Sequence, residues 1–144
     1  MCIKTNTMVV QLNKRLLPLL LLLLMAVGCS KKRQVSNEPA KIVYEETDKD
    51  IGDIYFEDGE KVIEFKLTNA GGRPFHLRDV VSGCECTRTE YSHDQFYGGE
   101  STTITVHFDP SELTEGAFER MIGVFTDLKK RPDTLYFHGV AKHR

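Results

Sequence analysis

The chain has 144 residues, 40% of them hydrophobic, with 19 basic and 21 acidic residues, four cysteines and no tryptophan. The first 28 residues hold three basic residues and no acidic one, so the remainder carries 16 basic against 21 acidic, a formal charge of −5. That balance argues against nucleic acid as a partner and against a basic membrane-surface patch, and 116 residues suffice for one domain but not two.

The chain opens as a leader. Lys4, Lys14 and Arg15 precede a 12-residue, mostly leucine run from Leu16 to Val27, and Ala26-Val27-Gly28-Cys29 follows. A basic start, a short apolar run and small residues at the cut describe a secretory signal over residues 1–28. The run falls short of the roughly 20 apolar residues that a spanning helix needs. Small residues followed by cysteine resemble the lipobox of bacterial lipoproteins, although Ala26 stands where that motif usually carries leucine. The resemblance implies cleavage before Cys29, lipidation of Cys29 and attachment to a membrane through that lipid. The alternative is a soluble export signal cut nearby.

Residues 29–40 read as the lipidated terminus and a flexible tether. The segment from Ser30 to Ala40 is polar, with Ser36, Asn37 and Pro39 and little to bury. Fully extended, it reaches no more than about 40 Å, which keeps the domain near its membrane. The one cationic cluster, Lys31-Lys32-Arg33, lies beside the anchor and either touches anionic headgroups or simply solvates the tether. Surface-exported lipoproteins of the Bacteroides type tend to be acidic just after the cysteine. The basic residues here favour an anchor facing the periplasm.

From residue 41 to 144 the pattern is period two. Ile63, Phe65 and Leu67 alternate with Glu64, Lys66 and Thr68, and Ile104, Val106 and Phe108 alternate with Thr103, Thr105 and His107. Ile122 and Val124, then Leu135, Phe137 and Gly139, repeat the signal. Such alternation predicts antiparallel strands with one face on a core. Turn residues separate the runs at Asp58-Gly59, Asn69-Ala70-Gly71-Gly72, Gly98-Gly99 and Arg131-Pro132-Asp133. About seven or eight strands over about 100 residues predict an all-β, immunoglobulin-like antiparallel sandwich. Only Pro110 to Glu115 could form a helical turn.

Several short motifs fall in a telling order. Asp50-Ile51-Gly52-Asp53-Ile54, Asp58-Gly59-Glu60, Asn69-x-Gly71, Cys84-Glu85-Cys86-Thr87, Gly99-Glu100, Gly116-x-Phe118 and Phe137-x-Gly139 resemble the bacterial domain-of-unknown-function 1573 family. That resemblance covers Lys41 to Lys142 and implies an immunoglobulin-like fold, related to modules of ciliary and major sperm proteins and common in exported Bacteroidetes proteins. It implies no agreed activity. Glu85 stands where the family usually has glycine, and Gly98 where it usually has proline.

Cys84-Glu85-Cys86 is the sharpest local chemistry. In an oxidising compartment two thiols this close are expected as a disulfide, and a loop closed over one residue removes little chain entropy. Three readings stay open: a passive disulfide or thiol pair that shapes its loop, thiol exchange with a partner, and capture of a soft metal such as copper(I) or zinc. Metal capture would need more ligands, of which His93 is the one plausible third. His76 and His138 are assigned to one sheet and His107 to the other, so they should not converge. A carboxylate at Glu85 would raise the thiol pKa and disfavour a nucleophilic thiolate. No nucleophile elbow, phosphate-cradling loop or HExxH motif is present, so neither catalytic residues nor a cofactor are expected.

The surface is what remains. With Ile122, Val124, Leu135 and Phe137 inward, Met121, Phe125, Tyr136 and Val140 lie on the outer face of the last hairpin and would form one apolar patch, either ordinary decoration or a partner site. An open edge strand is the other surface for a partner. The sequence therefore reads as a non-enzymatic, lipid-anchored envelope module that binds another envelope protein. The alternative is a thiol-redox or copper-handling protein working through Cys84 and Cys86.

Overall fold

The computed structural model describes residues 36–92 and 94–144. The leader, Cys29 and most of the tether lie outside the described residues, as does His93. Among the described residues, the alternating runs become nine strands: β1 (Ile42–Tyr44), β2 (Asp48–Tyr55), β3 (Lys61–Asn69), β4 (Phe75–Ser82), β5 (Thr87–Glu90), β6 (Gln95–Phe96), β7 (Ser101–Phe108), β8 (Gly116–Thr126) and β9 (Asp133–Lys142). Two 3-10 turns interrupt them, Phe56–Asp58 and Pro110–Glu112. The second sits where the helical turn is predicted, capped by Asp109, whose carboxylate accepts from Ser111 N at 2.9 Å. That backbone bond, with help from the Ser111 side chain, holds the Asp109 carboxyl below the usual range.

One sheet runs β1-β3-β7-β5 and the other β2-β9-β8-β4-β6. Among the described residues, six of the seven strand pairs are antiparallel, as the alternation predicts; the seventh, β2 with β9, is parallel. The reason is topological. A parallel pair needs a long crossover, and the whole intervening chain from β3 to β8 supplies one.

The predicted inward residues meet between the sheets. Ile63, Phe65 and Leu67 of β3, Ile104, Val106 and Phe108 of β7, and Ile122, Val124, Leu135 and Phe137 of the last hairpin are all buried in one core. Phe108 reaches across from the first sheet to Phe118 and Phe137 of the second, with ring centroids 5.4 and 5.1 Å apart. Tyr44 donates its hydroxyl to Asp133 Oδ2 at 3.2 Å and so ties β1 to the start of β9. Burial first, then the Asp133 carboxylate, raises the pKa of that hydroxyl.

Candidate functional site

Most of the short motifs turn out to build the fold. Gly52, with φ 70°, forms a bulge in β2 where the register with β9 shifts. A Cβ on Gly139 would lie 2.4 Å from Gly52 O, so the Asp50-to-Ile54 motif and the Phe137-x-Gly139 motif are two halves of one close strand contact. Asn69 is fully buried and uses its whole side-chain amide. Its oxygen accepts from Lys41 N at 3.3 Å and Gly71 N at 3.0 Å, and its nitrogen donates to Arg73 O at 2.8 Å and Phe96 O at 3.1 Å. Glu100 accepts from Tyr97 N at 2.9 Å and closes the turn ahead of β7. Phe118 stacks in the core.

The cysteines are the exception, because they lie at the surface between β4 and β5. Cys84 and Cys86 are joined as a disulfide with Cα atoms 5.3 Å apart. Each is half-buried, and Cys86 packs against the core. Glu85 between them is exposed and has no positive φ, so it does not carry the strain that the family's glycine could relieve. The loop is held by more than the bridge. Ser82 Oγ accepts from Cys84 N at 3.1 Å and donates to Cys84 O at 2.8 Å, Gly83 N donates to Met121 O at 3.3 Å, and Asp109 N donates to Cys86 O at 2.9 Å.

Beside the disulfide runs an open groove of about 700 Å³, whose lining includes Arg88, His107, Asp109, Glu112 and Arg120. Arg120 is the residue that the sequence reading passed over. It pairs with Phe137 across the hairpin and therefore points to the core side of its sheet, between Phe118 and Ile122. Its guanidinium donates to Glu119 O at 2.8 Å, while its Nε is buried without a hydrogen-bond partner. The signal was available, since strict alternation along Phe118-x-Arg120-x-Ile122 places a cation inward. Of the metal candidates, Cys84 and Cys86 are bonded to each other and His93 is not described. Among the described residues no three His, Cys, Asp or Glu side chains cluster to hold a metal. His76 and His138 lie on β4 and β9 of one sheet and His107 on β7 of the other. Each faces a carboxylate: Asp127 at 3.0 Å from His76, Asp48 at 3.5 Å from His138, and Glu60 at 3.0 Å from His107.

The outer face of the second sheet gathers part of the expected patch. Met121 lies opposite Tyr136, and Phe125 lies two positions beyond Gly123 on the same side of β8. Gly123 lets the Phe125 ring and Pro132 close over it, at 3.4 and 3.7 Å from where a Cβ would stand. Val81 of β4, opposite Gly123, adds a further exposed apolar side chain. Val140 is set apart, because the Glu119 and His138 pair separates it from Met121 and Tyr136.

Comparison with known proteins bears on the family and the fold. No curated protein matches the chain. Among solved structures, a protein of unknown function from Porphyromonas gingivalis shares 14% identity at a TM-score of 0.61, over 75% of this chain and 48% of that one. The present chain thus spans about half the length of that relative. The VesB protease of Vibrio cholerae aligns at 11% identity and a TM-score of 0.54, over 69% of this chain but 31% of the protease. PapD-like domain 7 of human CEP192 aligns at 10% identity and a TM-score of 0.51, over 81% of this chain and 99% of that domain. Identities this low show the sandwich fold alone. Residues 42–141 match a family described as "Protein of unknown function (DUF1573)", and the chain belongs to that family.

Proposed function

We propose that this chain is a non-catalytic binding module of the bacterial envelope, lipid-anchored at Cys29, facing the periplasm and engaging another envelope protein. The observation that carries the reading is the outer face of β4, β8 and β9. There Val81, Met121 and Phe125 are 45%, 51% and 37% exposed around the side-chain-free position of Gly123. Three large apolar side chains on adjacent strands form a shallow surface suited to another protein's apolar side chains. The motifs add support of another kind. Asn69, Gly52, Gly139 and Phe118 are accounted for by folding, which leaves the surface to carry function.

Phe125→Glu tests the reading. The side chain points outward, so the change should alter stability by no more than about 0.5 kcal/mol. With the circular dichroism spectrum and melting temperature unchanged, recovery of the partner from membranes should fall at least about tenfold, the scale of a lost interface anchor. Normal recovery by a folded Phe125→Glu variant would move the interaction to another surface, such as an open strand edge.

A further inference from the structure

We propose that Cys84–Cys86 is an exchange-active disulfide that accepts electrons from a dithiol, with Cys84 as the sulfur that leaves as a thiolate. The inference stands apart from the docking face. Its first support is that bonds other than the bridge also hold the loop, from Ser82, the Gly83 N–H to Met121 O and the Asp109 N–H to Cys86 O. A link closing a loop over one residue adds little chain entropy.

The second support is that the two sulfurs are not equivalent. Thr87 Oγ1 lies 3.2 Å from Cys84 Sγ and 3.7 Å from Cys86 Sγ, so its single proton is better placed for Cys84. Thr87 is itself buried, which keeps that hydroxyl in position. Cys86 packs on the core, an apolar setting that disfavours a thiolate. The Thr87 hydroxyl stabilises negative charge on one sulfur and apolar packing disfavours it on the other, and the better stabilised sulfur leaves faster.

The groove supplies the third. Arg120 lines it together with both cysteines, from an inward position where its buried Nε has no hydrogen-bond partner among the described residues. A cation lining the same groove favours negative charge on a sulfur there. Glu85, exposed between the cysteines, and Glu60, Asp109 and Glu112 in the same lining oppose it.

The exchange balances as follows. One thiol of the incoming dithiol loses its proton to solvent and its sulfur attacks Cys86 Sγ. The Cys84–Cys86 bond breaks, a mixed disulfide forms on Cys86, and the electron pair departs on Cys84 Sγ beside the Thr87 hydroxyl. The second thiol of the dithiol, deprotonated by solvent, then attacks its partner sulfur and expels Cys86. Both cysteines take up protons from solvent. The dithiol is oxidised by two electrons to a disulfide, and the pair is reduced to two thiols.

Full-length protein in detergent, titrated with dithiothreitol under native conditions and quenched with iodoacetamide, tests this by peptide-resolved mass spectrometry. The bond should open with the circular dichroism spectrum unchanged and the melting temperature lowered by no more than about 8 °C. In the reduced protein Cys84 should alkylate about tenfold faster than Cys86, the scale of one hydrogen bond to a charged sulfur. Thr87→Val should erase that preference while the protein stays folded; if Thr87→Val does not fold, the relative alkylation rates of the wild-type cysteines decide alone. A bond that resists excess dithiothreitol until the domain unfolds would overturn the proposal, and so would faster alkylation at Cys86.

Discussion

Phe137→Glu is expected to prevent folding. Phe137 is fully buried, with ring centroids 5.1 Å from Phe108 and 6.5 Å from Phe118, so it joins the two sheets at the centre of the core. Removing a buried phenylalanine costs about 3–5 kcal/mol by itself. The introduced carboxylate must also be desolvated or protonated, at a further cost of several kcal/mol. Against a total stability of about 5–15 kcal/mol, the two exceed or nearly exhaust the margin. Circular dichroism should show a loss of sheet structure and no cooperative melt, in contrast to Phe125→Glu. A cooperative transition within a few degrees of wild type would mean that the assigned register of β9 is wrong.

The second large effect is expected at Asn69. Its buried amide satisfies two backbone N–H groups and two backbone carbonyls, which come from the entry to β1, the turn after β3 and the end of β6. Asn69→Ala removes all four bonds at once and leaves buried polar groups without partners, each worth about 1–3 kcal/mol. A loss of about 3 kcal/mol or more should lower the melting temperature by about 12 °C or more in a domain of this size. Asn69→Asp should do no better, since a carboxylate keeps the acceptors, loses both donors and buries a charge. A shift of only a few degrees for Asn69→Ala would show that water replaces the side chain and that the motif is not a structural clasp.

The core was legible because its strands alternate cleanly. β3, β7 and the β8–β9 hairpin bury every apolar residue that the period-two pattern marks inward. β2 was harder to read, since its sequence DKDIGDIY carries four charges and a bulge at Gly52 that shifts the register midway. Alternation gives the inward face of a strand but not its direction, so the parallel pairing with β9 had no local signal. The short β5 and β6, Thr-Arg-Thr-Glu and Gln-Phe, have too few apolar residues to show a period.

The site was legible in part. Proximity in sequence brought Cys84 and Cys86 together, whereas the selective contact of Thr87 with Cys84 depends on side-chain placement that no pattern encodes. Met121 and Tyr136 followed from the hairpin register, but joining Val140 to them ignored the Glu119 and His138 pair that intervenes. Val81 enters the patch only through the pairing of β4 with β8, a contact between strands about 40 residues apart.

The proposed binding face is tested most directly by a photocrosslinking side chain placed at single positions in the chain and irradiated in intact membranes. Met121 lies within the face, whereas Val62, 58% exposed on β3 of the other sheet, is an apolar control. The account predicts one discrete crosslinked species from position 121, lost when Phe125→Glu is added, and none from position 62. Equal crosslinking from both positions, or none from 121 in folded, membrane-associated protein, would contradict it.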